Sequence, residues 1–392
     1  MPAVLGLIIA LLAAATASPT QDESADASEV PPRPDGWIGR YVHSLVYGPE
    51  DPGEPQFLVY PVLSYAPETR LEMGLYGLYV FHSRGDVSNR LSEIPIYAFY
   101  TLNNQFGVTF EHAIFTHESR RSHLGEGLIA NLPLKYFGIG PDAQAEDAVV
   151  VFARRLVARE RVLFRLGQTD LYLGPEVGFA SLGGVRFEAD DGRDVPLPRG
   201  GDGTTNLTMG AGIAYDARHN PLNVRDGAFA ELALLASQAG FGSEYSFHNV
   251  FVDVRAYHPL GPDQQVVVAG QLLGQLGGGD LPFNELGLMG GDGMMRGYYR
   301  GRYRDRHLLA AQAEIRFLPL PLGFTRRIGA AAFLATGTVF PSWDALGEAR
   351  PVVTGGGGLR VLTFPASDVY TRVEVGISED GPGFYLYVGE AF

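Results

Sequence analysis

From residue 56 onward, apolar and polar residues alternate in short runs that Gly, Pro, Asn and Asp separate. In the run HNVFVDVRAY, Val250, Val252 and Val254 share one face of an extended strand. Asp253 and Arg255 share the opposite face. A period of two predicts β-strands, and frequent turn residues between them predict an all-β barrel or sandwich. The choice between a barrel and a sandwich depends on whether the apolar face contacts lipid or a protein core.

Two later runs repeat this pattern. HLLAAQAEIRF sets Leu309 and Ile315 against Glu314, and VYTRVEVGIS sets Val373 against Glu374. A water-soluble sandwich could show the same alternation, but strands of about ten residues with one apolar and one charged face are what a transmembrane barrel requires. No later stretch of roughly 18 residues stays apolar, so a chain of this kind would cross a membrane with strands. The sequence therefore predicts a single transmembrane antiparallel β-barrel.

We predict sixteen strands within residues 56–392, and an even count is typical of bacterial barrels. With the N-terminus in the periplasm, connections after even strands should be short. Residues 116–146 form a long interval after the fourth predicted strand, which suggests that the first four strands are misplaced. The predicted strands are 56–65, 71–83, 93–102, 104–115, 147–157, 159–168, 171–182, 206–215, 228–237, 246–258, 264–274, 307–317, 328–338, 353–363, 369–377 and 384–391.

Three segments precede the predicted barrel. Residues 1–17 are apolar and end in small residues, which predicts a secretory signal peptide, with a retained membrane anchor as the alternative. Residues 18–36 are acidic and rich in Pro, so we predict a disordered linker. Residues 37–55 start with a helical apolar stripe and are predicted to form a short amphipathic helix and a connector. That helix could pack on the barrel rim, plug the lumen or anchor at the membrane surface.

The composition argues against several classes of function. The chain has no cysteine, so neither a disulfide nor a zinc–cysteine site can form. Its formal net charge is -14 and its basic residues are scattered, which argues against nucleic acid as a partner. No nucleophile elbow, P-loop or HExxH motif occurs, and the acidic run 188–194 fits a solvated loop better than a calcium site. We therefore expect no enzyme, no cofactor and no metal.

Residues 290–305, GGDGMMRGYYRGRYRD, form a loop dense in glycine, arginine and tyrosine. Its tripeptide Arg296-Gly297-Tyr298 resembles the loop-six signature of the BamA/TamA, or Omp85, superfamily of outer-membrane barrels, also called the bacterial surface antigen (D15) family. In that family the tripeptide folds back into the barrel, so the resemblance implies an inward-folded loop 6. Without the resemblance, a solvated basic loop would be the simpler interpretation.

Two further pieces carry the resemblance. The ending FYLYVGEAF resembles the family's last strand, which the cell's own barrel-assembly machine reads as a signal, and it has Gly389 and Phe392 at matching positions. Residues 18–55 are too few for one of the periplasmic POTRA domains of larger members, so the resemblance is to members without them. The run YDARHNPLNVRDGAF resembles the family's periplasmic turn, and its matching residues are Asp216, Arg218, Pro221 and Gly227.

The chain departs from the family at one position that matters for the loop. The family's strand thirteen carries a Phe-x-Asp-x-Gly motif whose Asp meets the loop-six Arg, and this chain reads FLATG, with Ala335 in place of the Asp. Arg296 must therefore find another partner or stay hydrated. Glu314 and Glu374 lie on predicted lumen faces, and they are the candidate partners for charge-assisted hydrogen bonds.

The resemblance implies a function in the outer membrane of a Gram-negative-type cell. Family members assemble, insert or translocate outer-membrane proteins or lipids, which suggests a weak seam between the first and last strands. The implied partners are outer-membrane lipid, unfolded outer-membrane protein clients and the barrel-assembly machine that inserts this barrel itself. The alternative is a passive channel or structural barrel without insertase activity, because function resides in sites carried on a fold.

Overall fold

The structure of the chain is a computed structural model, and it describes residues 55–86, 88–218, 223–323, 325–364 and 368–392. The predicted signal peptide, linker and amphipathic helix lie outside these residues. The described part of the chain consists almost entirely of strands and their connections.

Sixteen antiparallel strands of the described residues form one closed barrel, which confirms the predicted fold class. Each strand pairs with its neighbours in the chain, and β1 and β16 close the barrel. The first eight strands are β1 (Gln56–Ala66), β2 (Arg70–Phe81), β3 (Ser92–Thr101), β4 (Phe106–Thr116), β5 (Arg121–Asn131), β6 (Val149–Arg165), β7 (Leu171–Glu188) and β8 (Thr204–Asp216). The last eight are β9 (Gly227–Ser237), β10 (Phe247–Leu260), β11 (Val266–Gly279), β12 (His307–Phe317), β13 (Ile328–Phe340), β14 (Val352–Phe364), β15 (Val369–Ser378) and β16 (Gly381–Val388).

Short elements accompany the barrel wall. A strand at Leu134–Tyr136 pairs with the start of β6, and a hairpin of Gly287–Met289 with Tyr303–Asp305 lies between β11 and β12. Among the described residues, no helix is long or apolar enough to cross a membrane. The described 3-10 helices are Ser83–Gly85, Ala145–Asp147, Phe283–Glu285 and Trp343–Ala345.

The strand prediction was wrong in one region rich in charge. Residues 147–157 and 159–168 were predicted as two strands, but they belong to the single strand β6. The residues around the predicted break, RRLVARER, are rich in charge. Arg159 and Arg161 form ion pairs with Glu176 on the neighbouring strand β7, and the ladder continues through them. Charged residues therefore lie inside one continuous strand because a neighbouring strand supplies the counter-charge.

The strand absent from the prediction is β5, which lies within the segment 116–146 that did not fit. The strand contains glycine in its interior, and Gly127 lies under the ring of Phe110, where an added Cβ would be 2.1 Å from a ring carbon. The expectation that the first four strands are misplaced was also wrong, because they match β1 to β4 within two residues. With β5 in place, the long connections all follow odd strands.

The barrel has two ends with different connections. We call the end where β1 begins and β16 ends the termini end, and the opposite end the loop end. The longest connections, residues 132–148, 189–203 and 280–306, all lie at the loop end. The last of these is loop 6. The termini end carries shorter turns.

The barrel wall is apolar outside and polar inside. Leu334 on β13 is 62% exposed and Ile377 on β15 is 61% exposed, so both side chains point away from the lumen. Glu314 on β12 and Glu374 on β15 point inward and are buried. A wide apolar belt of this kind is covered by lipid, and the charged inner face is enclosed by protein. The chain is a transmembrane barrel, as the alternation predicted.

An arginine on the outer belt should weaken insertion into lipid. Leu334 is at the middle of β13 and points outward. Leu334→Arg should destabilise the folded barrel in a bilayer by about 2 to 4 kcal/mol, because a charge is moved to the bilayer midplane. Urea titration of folding into lipid vesicles measures the loss, with Leu334→Ala as the control for lost side-chain area. Equal losses in the two variants would mean that this face does not meet lipid.

Candidate functional site

Loop 6 enters the barrel from the loop end and places its tip against the inner wall. Its base is the hairpin of Gly287–Met289 with Tyr303–Asp305, and its tip is Arg296 and Gly297. Gly297 has φ 113°, a left-handed conformation that glycine adopts without strain. Arg296 is fully buried. The inward-folded loop that the resemblance implied is therefore present.

Arg296 forms ion pairs with carboxylates from two strands. Its Nη2 donates to Glu314 Oε2 at 2.6 Å, and its Nη1 donates to Glu374 Oε1 at 2.8 Å. All three side chains are shielded completely from solvent. The structure thus places the loop arginine between the two acids that the sequence singled out. Charge-assisted hydrogen bonds are strong where water is excluded.

The wall around Arg296 shows what replaces the family's strand-thirteen Asp. The Cζ of Arg296 lies 3.6 Å from the ring centroid of Phe333, which is a close cation–π contact. Ala335 is 2% exposed and packs in an apolar cluster with Tyr298. Ala335 is paired in register with Gln312, whose Oε1 lies 3.4 Å from Arg296 Nη2. The acids that meet the loop arginine therefore come from β12 and β15 instead of β13.

The main chain of the tip is held against the same wall. Gly297 N donates to the hydroxyl of Tyr385 at 2.8 Å, and Ser378 Oγ donates to Gly297 O at 3.0 Å. Gly376 on β15 lies directly under the tip, where an added Cβ would be 2.5 Å from the carbonyl carbon of Arg296. Such a close approach of two backbones requires glycine. The tip is therefore fixed by its backbone as well as by its charge.

Three further arginines complete a buried ion network around the same acids. Glu314 accepts a hydrogen bond from Arg316 Nε at 2.7 Å, and Glu374 accepts one from Arg372 Nη1 at 2.8 Å. Arg360 Nη2 lies 2.8 Å from Glu374 and 3.3 Å from Glu314. With the loop arginine, four arginines face four acids, so the formal charges of this loop-6 network cancel. The acids are Glu314, Glu374, Glu390 and Asp292.

The last four residues leave the wall and turn into the lumen. Gly389 has φ 89°, which directs the chain inward after β16. The carboxylate of Glu390 lies 3.1 Å from Arg360 Nη2, and the main-chain oxygen of Phe392 accepts from Arg316 Nη2 at 3.0 Å. Phe392 is buried, with its ring 5.0 Å from the Arg316 guanidinium. The tail that resembles the family's assembly signal thus joins the loop-6 network.

The turn between β8 and β9 contains the other matching residues. Arg218 Nε donates to Asp216 Oδ1 at 2.8 Å, and the main-chain N of Ala217 donates across the turn to Ala228 O at 2.9 Å. Gly227 has φ 108°, and an added Cβ would be 2.3 Å from the oxygen of Ala217. Pro221 lies outside the described residues. The glycine therefore lets β9 begin directly against the end of β8.

Arg225, in the same turn, is a residue that the sequence analysis did not single out. Its Nε and Nη2 each lie 2.9 Å from a carboxylate oxygen of Asp368. Its Nη1 donates to Gln264 O at 3.0 Å and to Leu318 O at 2.8 Å. One side chain therefore ties four turns of the termini end together. No local pattern could reveal this, because the partners are 39 to 143 residues away in the sequence.

A second anchor joins loop 6 to the turn between β1 and β2. The carboxylate of Glu68 accepts a hydrogen bond from the main-chain N of Arg300. The main-chain oxygen of Glu68 accepts from Asn103 at 2.8 Å and from Gln105 at 3.1 Å. Burial raises the pKa of Glu68, although the hydrogen bond from Arg300 opposes the rise. Loop 6 therefore contacts the connection of β1 as well as β15 and β16.

A second concentration of charge lines a lumen cavity of about 640 Å³ away from loop 6. Arg161 Nη1 lies 2.7 Å from Glu231, and Arg159 pairs with the buried Glu176. These groups form ion pairs with one another across β6, β7 and β9. Within the described ranges, no group of three or more His, Asp or Glu residues is arranged to hold a metal ion.

Removing the guanidinium of Arg296 should release loop 6. Arg296→Met keeps the length of the side chain but withdraws one cation from Glu314 and Glu374, and losing one partner of a buried pair costs about 3 to 5 kcal/mol. We expect a lower unfolding temperature and faster cleavage within loop 6 by proteinase K, a protease that does not require the substituted arginines as cleavage sites. Arg306→Met is the matched control, because Arg306 is exposed in the same loop. Equal cleavage of the two variants would show that these ion pairs do not hold the loop.

Gly297→Ala should displace the tip without changing any charge. The new Cβ would be 2.8 Å from Thr354 Oγ1 and 3.1 Å from the carbonyl carbon of Gly376. Gly323→Ala is the control, because Gly323 has φ 75° but open space around the added atom. Both variants carry a backbone strain of about 1 to 2 kcal/mol. Only Gly297→Ala should increase trypsin cleavage of loop 6; an equal increase in the control would assign the effect to strain alone.

Solved structures with similar folds include two kinds of barrel. BamA from Haemophilus ducreyi lacking POTRA domains 1-3 has a TM-score of 0.57 and 12% identity, covering 86% of this chain and 70% of that chain. CdiB from Acinetobacter baumannii has a TM-score of 0.52 and 10% identity, covering 89% and 67%. CdiB from Escherichia coli has a TM-score of 0.57 and 12% identity, covering 84% of this chain and 62% of that chain. At these identities the likeness shows the fold alone.

The family relationship comes from the sequence itself. None of the curated proteins matches it. The Omp85 superfamily domain matches residues 168–363, which are half of the 392 residues. The matched range includes the tip of loop 6 and Glu314. The chain belongs to the Omp85 superfamily, as the three sequence motifs predicted.

Proposed function

We propose that the chain acts in the outer membrane of a Gram-negative-type cell as an assembly, insertion or translocation factor for outer-membrane proteins or lipids. The observation that carries this proposal is the seam between β1 and β16. Across the seam the described residues form a single register pair, Tyr65 opposite Leu386. On its other side, β1 pairs with β2 along its whole length, from Gln56 to Ala66. The wall is therefore weakest along one line, where a client could pass into lipid.

The short ladder follows from the path of the last strand. β16 ends at Val388, and Gly389 turns the chain inward instead of continuing it beside β1. A main-chain hydrogen bond contributes about 0.5 to 1.5 kcal/mol in water, and an unmade one costs more in lipid. Separating one register pair is therefore far easier than separating the eight pairs of β15 with β16.

Loop 6 bridges the two edges of this seam. On one side, Gly297 N donates to Tyr385 of β16. On the other side, Arg300 N donates to Glu68, which follows the end of β1. Opening the seam must break at least one of these contacts. The ion pairs of Arg296 would thus hold the barrel closed until a client or lipid displaces the loop.

The proposed partners follow from the surface of the barrel. The apolar belt supports outer-membrane lipid as its surroundings, and unfolded outer-membrane proteins are the proposed clients at the seam. Gly389 and Phe392 are the proposed signal for insertion of this barrel by the cell's assembly machine. The proposed activity lowers the barrier to insertion of a client without making or breaking a covalent bond. It needs no cofactor.

Covalent closure of the seam tests the proposal. Tyr65→Cys with Leu386→Cys places two thiols at the paired positions, and the chain has no other cysteine. The barrel is reconstituted in liposomes, and protease-resistant insertion of an unfolded outer-membrane protein is measured. The oxidised variant should fall to the rate of an unrelated barrel, and reduction should restore the acceleration, because only the reduced seam can open.

Leu63→Cys with Met73→Cys is the matched control, because these residues face each other on β1 and β2. Its disulfide leaves the seam free, so oxidation should not change its activity. Full activity of the oxidised Tyr65 and Leu386 variant would show that insertion does not use the seam. No acceleration by the reduced protein, with steady conductance in planar bilayers, would favour the alternative of a passive channel or structural barrel.

A further inference from the structure

Two arginines in the loop-end half of the lumen differ from those of the loop-6 network. Arg304, in the loop-6 hairpin, is 7% exposed, and Arg155 projects from β6. Neither side chain forms a hydrogen bond or ion pair with a described residue, and the Nε of each is shielded from solvent without an acceptor. A shielded guanidinium without an anion is costly, because its charge has lost water and gained no partner. Two of them together point to an anionic ligand.

These arginines repel each other and a third arginine of the loop. The positive charge of Arg155 acts on Arg304, and that of Arg300 acts on Arg155. Burial, with a smaller contribution from Arg155, lowers the pKa of Arg304 to about 10, so Arg304 remains charged at neutral pH. The contacts of the loop agree with this: Arg304 lies over the ring of Tyr136, which is paired with Val149 at the start of β6, and Tyr299, next to Arg300, accepts a hydrogen bond from the main-chain N of Lys135. The three cations therefore share one region of the lumen. Folding this region is unfavourable unless negative charge enters it.

The nearby acids already have other partners. The carboxylate of Glu68 accepts a hydrogen bond from the main-chain N of Arg300. The carboxylate of Asp380 forms an ion pair with Arg302 Nε at 2.6 Å. Asp305, next to Arg304, accepts a hydrogen bond from the main-chain N of its neighbour. None of these carboxylates forms an ion pair with the three cations. The charge of Arg300 acts on the carboxylate of Glu68, but no described carboxylate forms an ion pair with Arg155 or Arg304.

Aromatic rings hold the deepest guanidinium in place. The Cζ of Arg304 lies 4.7 Å from the ring centroid of Tyr136 and 5.8 Å from that of Phe283. Cation–π contacts contribute about 0.5 to 2 kcal/mol, which orients the group but does not replace an anion. Arg300 is exposed, so the cluster opens to solvent on its side. The basic site therefore has aromatic rings beside Arg304 and is open to solvent at Arg300.

We propose that Arg155, Arg300 and Arg304 form a binding site for a phosphate group, either free or carried by a lipid headgroup. The planar fork of arginine matches the oxygens of phosphate, and several such forks can share one doubly charged anion. The bound phosphate cancels the repulsion among the three cations. It also connects loop 6 to β6, which gives the loop an anchor away from the seam.

Thermal unfolding of the detergent-solubilised barrel tests the site, with inorganic phosphate or chloride at equal ionic strength. The wild type should unfold at a higher temperature in phosphate, since a ligand that binds only the folded state stabilises it. Arg304→Gln should bind phosphate at least tenfold more weakly. In chloride it should unfold at or above the temperature of the wild type, because a repelling charge has been removed.

Arg302→Gln is the matched control, because Arg302 lies in the same hairpin but is paired with Asp380. This variant should unfold at a lower temperature in both salts and keep the response to phosphate. Mixed micelles with phosphatidate, compared with neutral detergent alone, distinguish the sources of phosphate. Stabilisation by phosphatidate alone assigns a lipid headgroup, and stabilisation by inorganic phosphate assigns the free ion. No stabilisation of the wild type by either probe, or equal stabilisation of Arg304→Gln, would overturn the proposal.

Discussion

The ion pairs of Arg296 with Glu314 and Glu374 are the contacts on which the interior of this barrel depends. A guanidinium fully removed from water is tolerable only because two carboxylates replace its hydration. The same acids hold three wall arginines, and two of these reach the last residues of the chain through Glu390 and Phe392. The loop, the wall and the tail are therefore parts of one charge-balanced network.

Main-chain and side-chain pairing have different roles in the wall. Most neighbouring strands share long ladders, which lipid preserves because it offers no competing hydrogen-bond partners. At the seam, one register pair remains, and loop 6 joins the two edges through Glu68 and Tyr385. A barrel built in this way can be stable around its circumference and still separate along one line. Arg225 reinforces the termini end, where it ties four turns together.

Most of the strands and the direction of most of their side chains were predicted from the two-residue period of the sequence. A period of two assigned Glu314 and Glu374 to the lumen, and both side chains are buried there. The periodicity failed where residues that usually end strands lie inside them. β6 carries charge in its interior and β5 carries glycine, and only the pairing with neighbouring strands explains either. Local composition could not show that partners across the ladder supply counter-charges for β6 and a covering ring for β5.

The sequence by itself determined the fold class, the direction of most side chains, and the arginine at the tip of loop 6. These features depend on local periodicity and on short motifs, which can be recognised in a single segment without knowing its partners in space. Only the tertiary structure decided that Arg296 meets both acids, that the tail turns inward at Gly389, and that Arg304 lies over Tyr136 beside the start of β6. Such contacts join distant residues, and their geometry depends on strand register and barrel closure rather than on any local pattern.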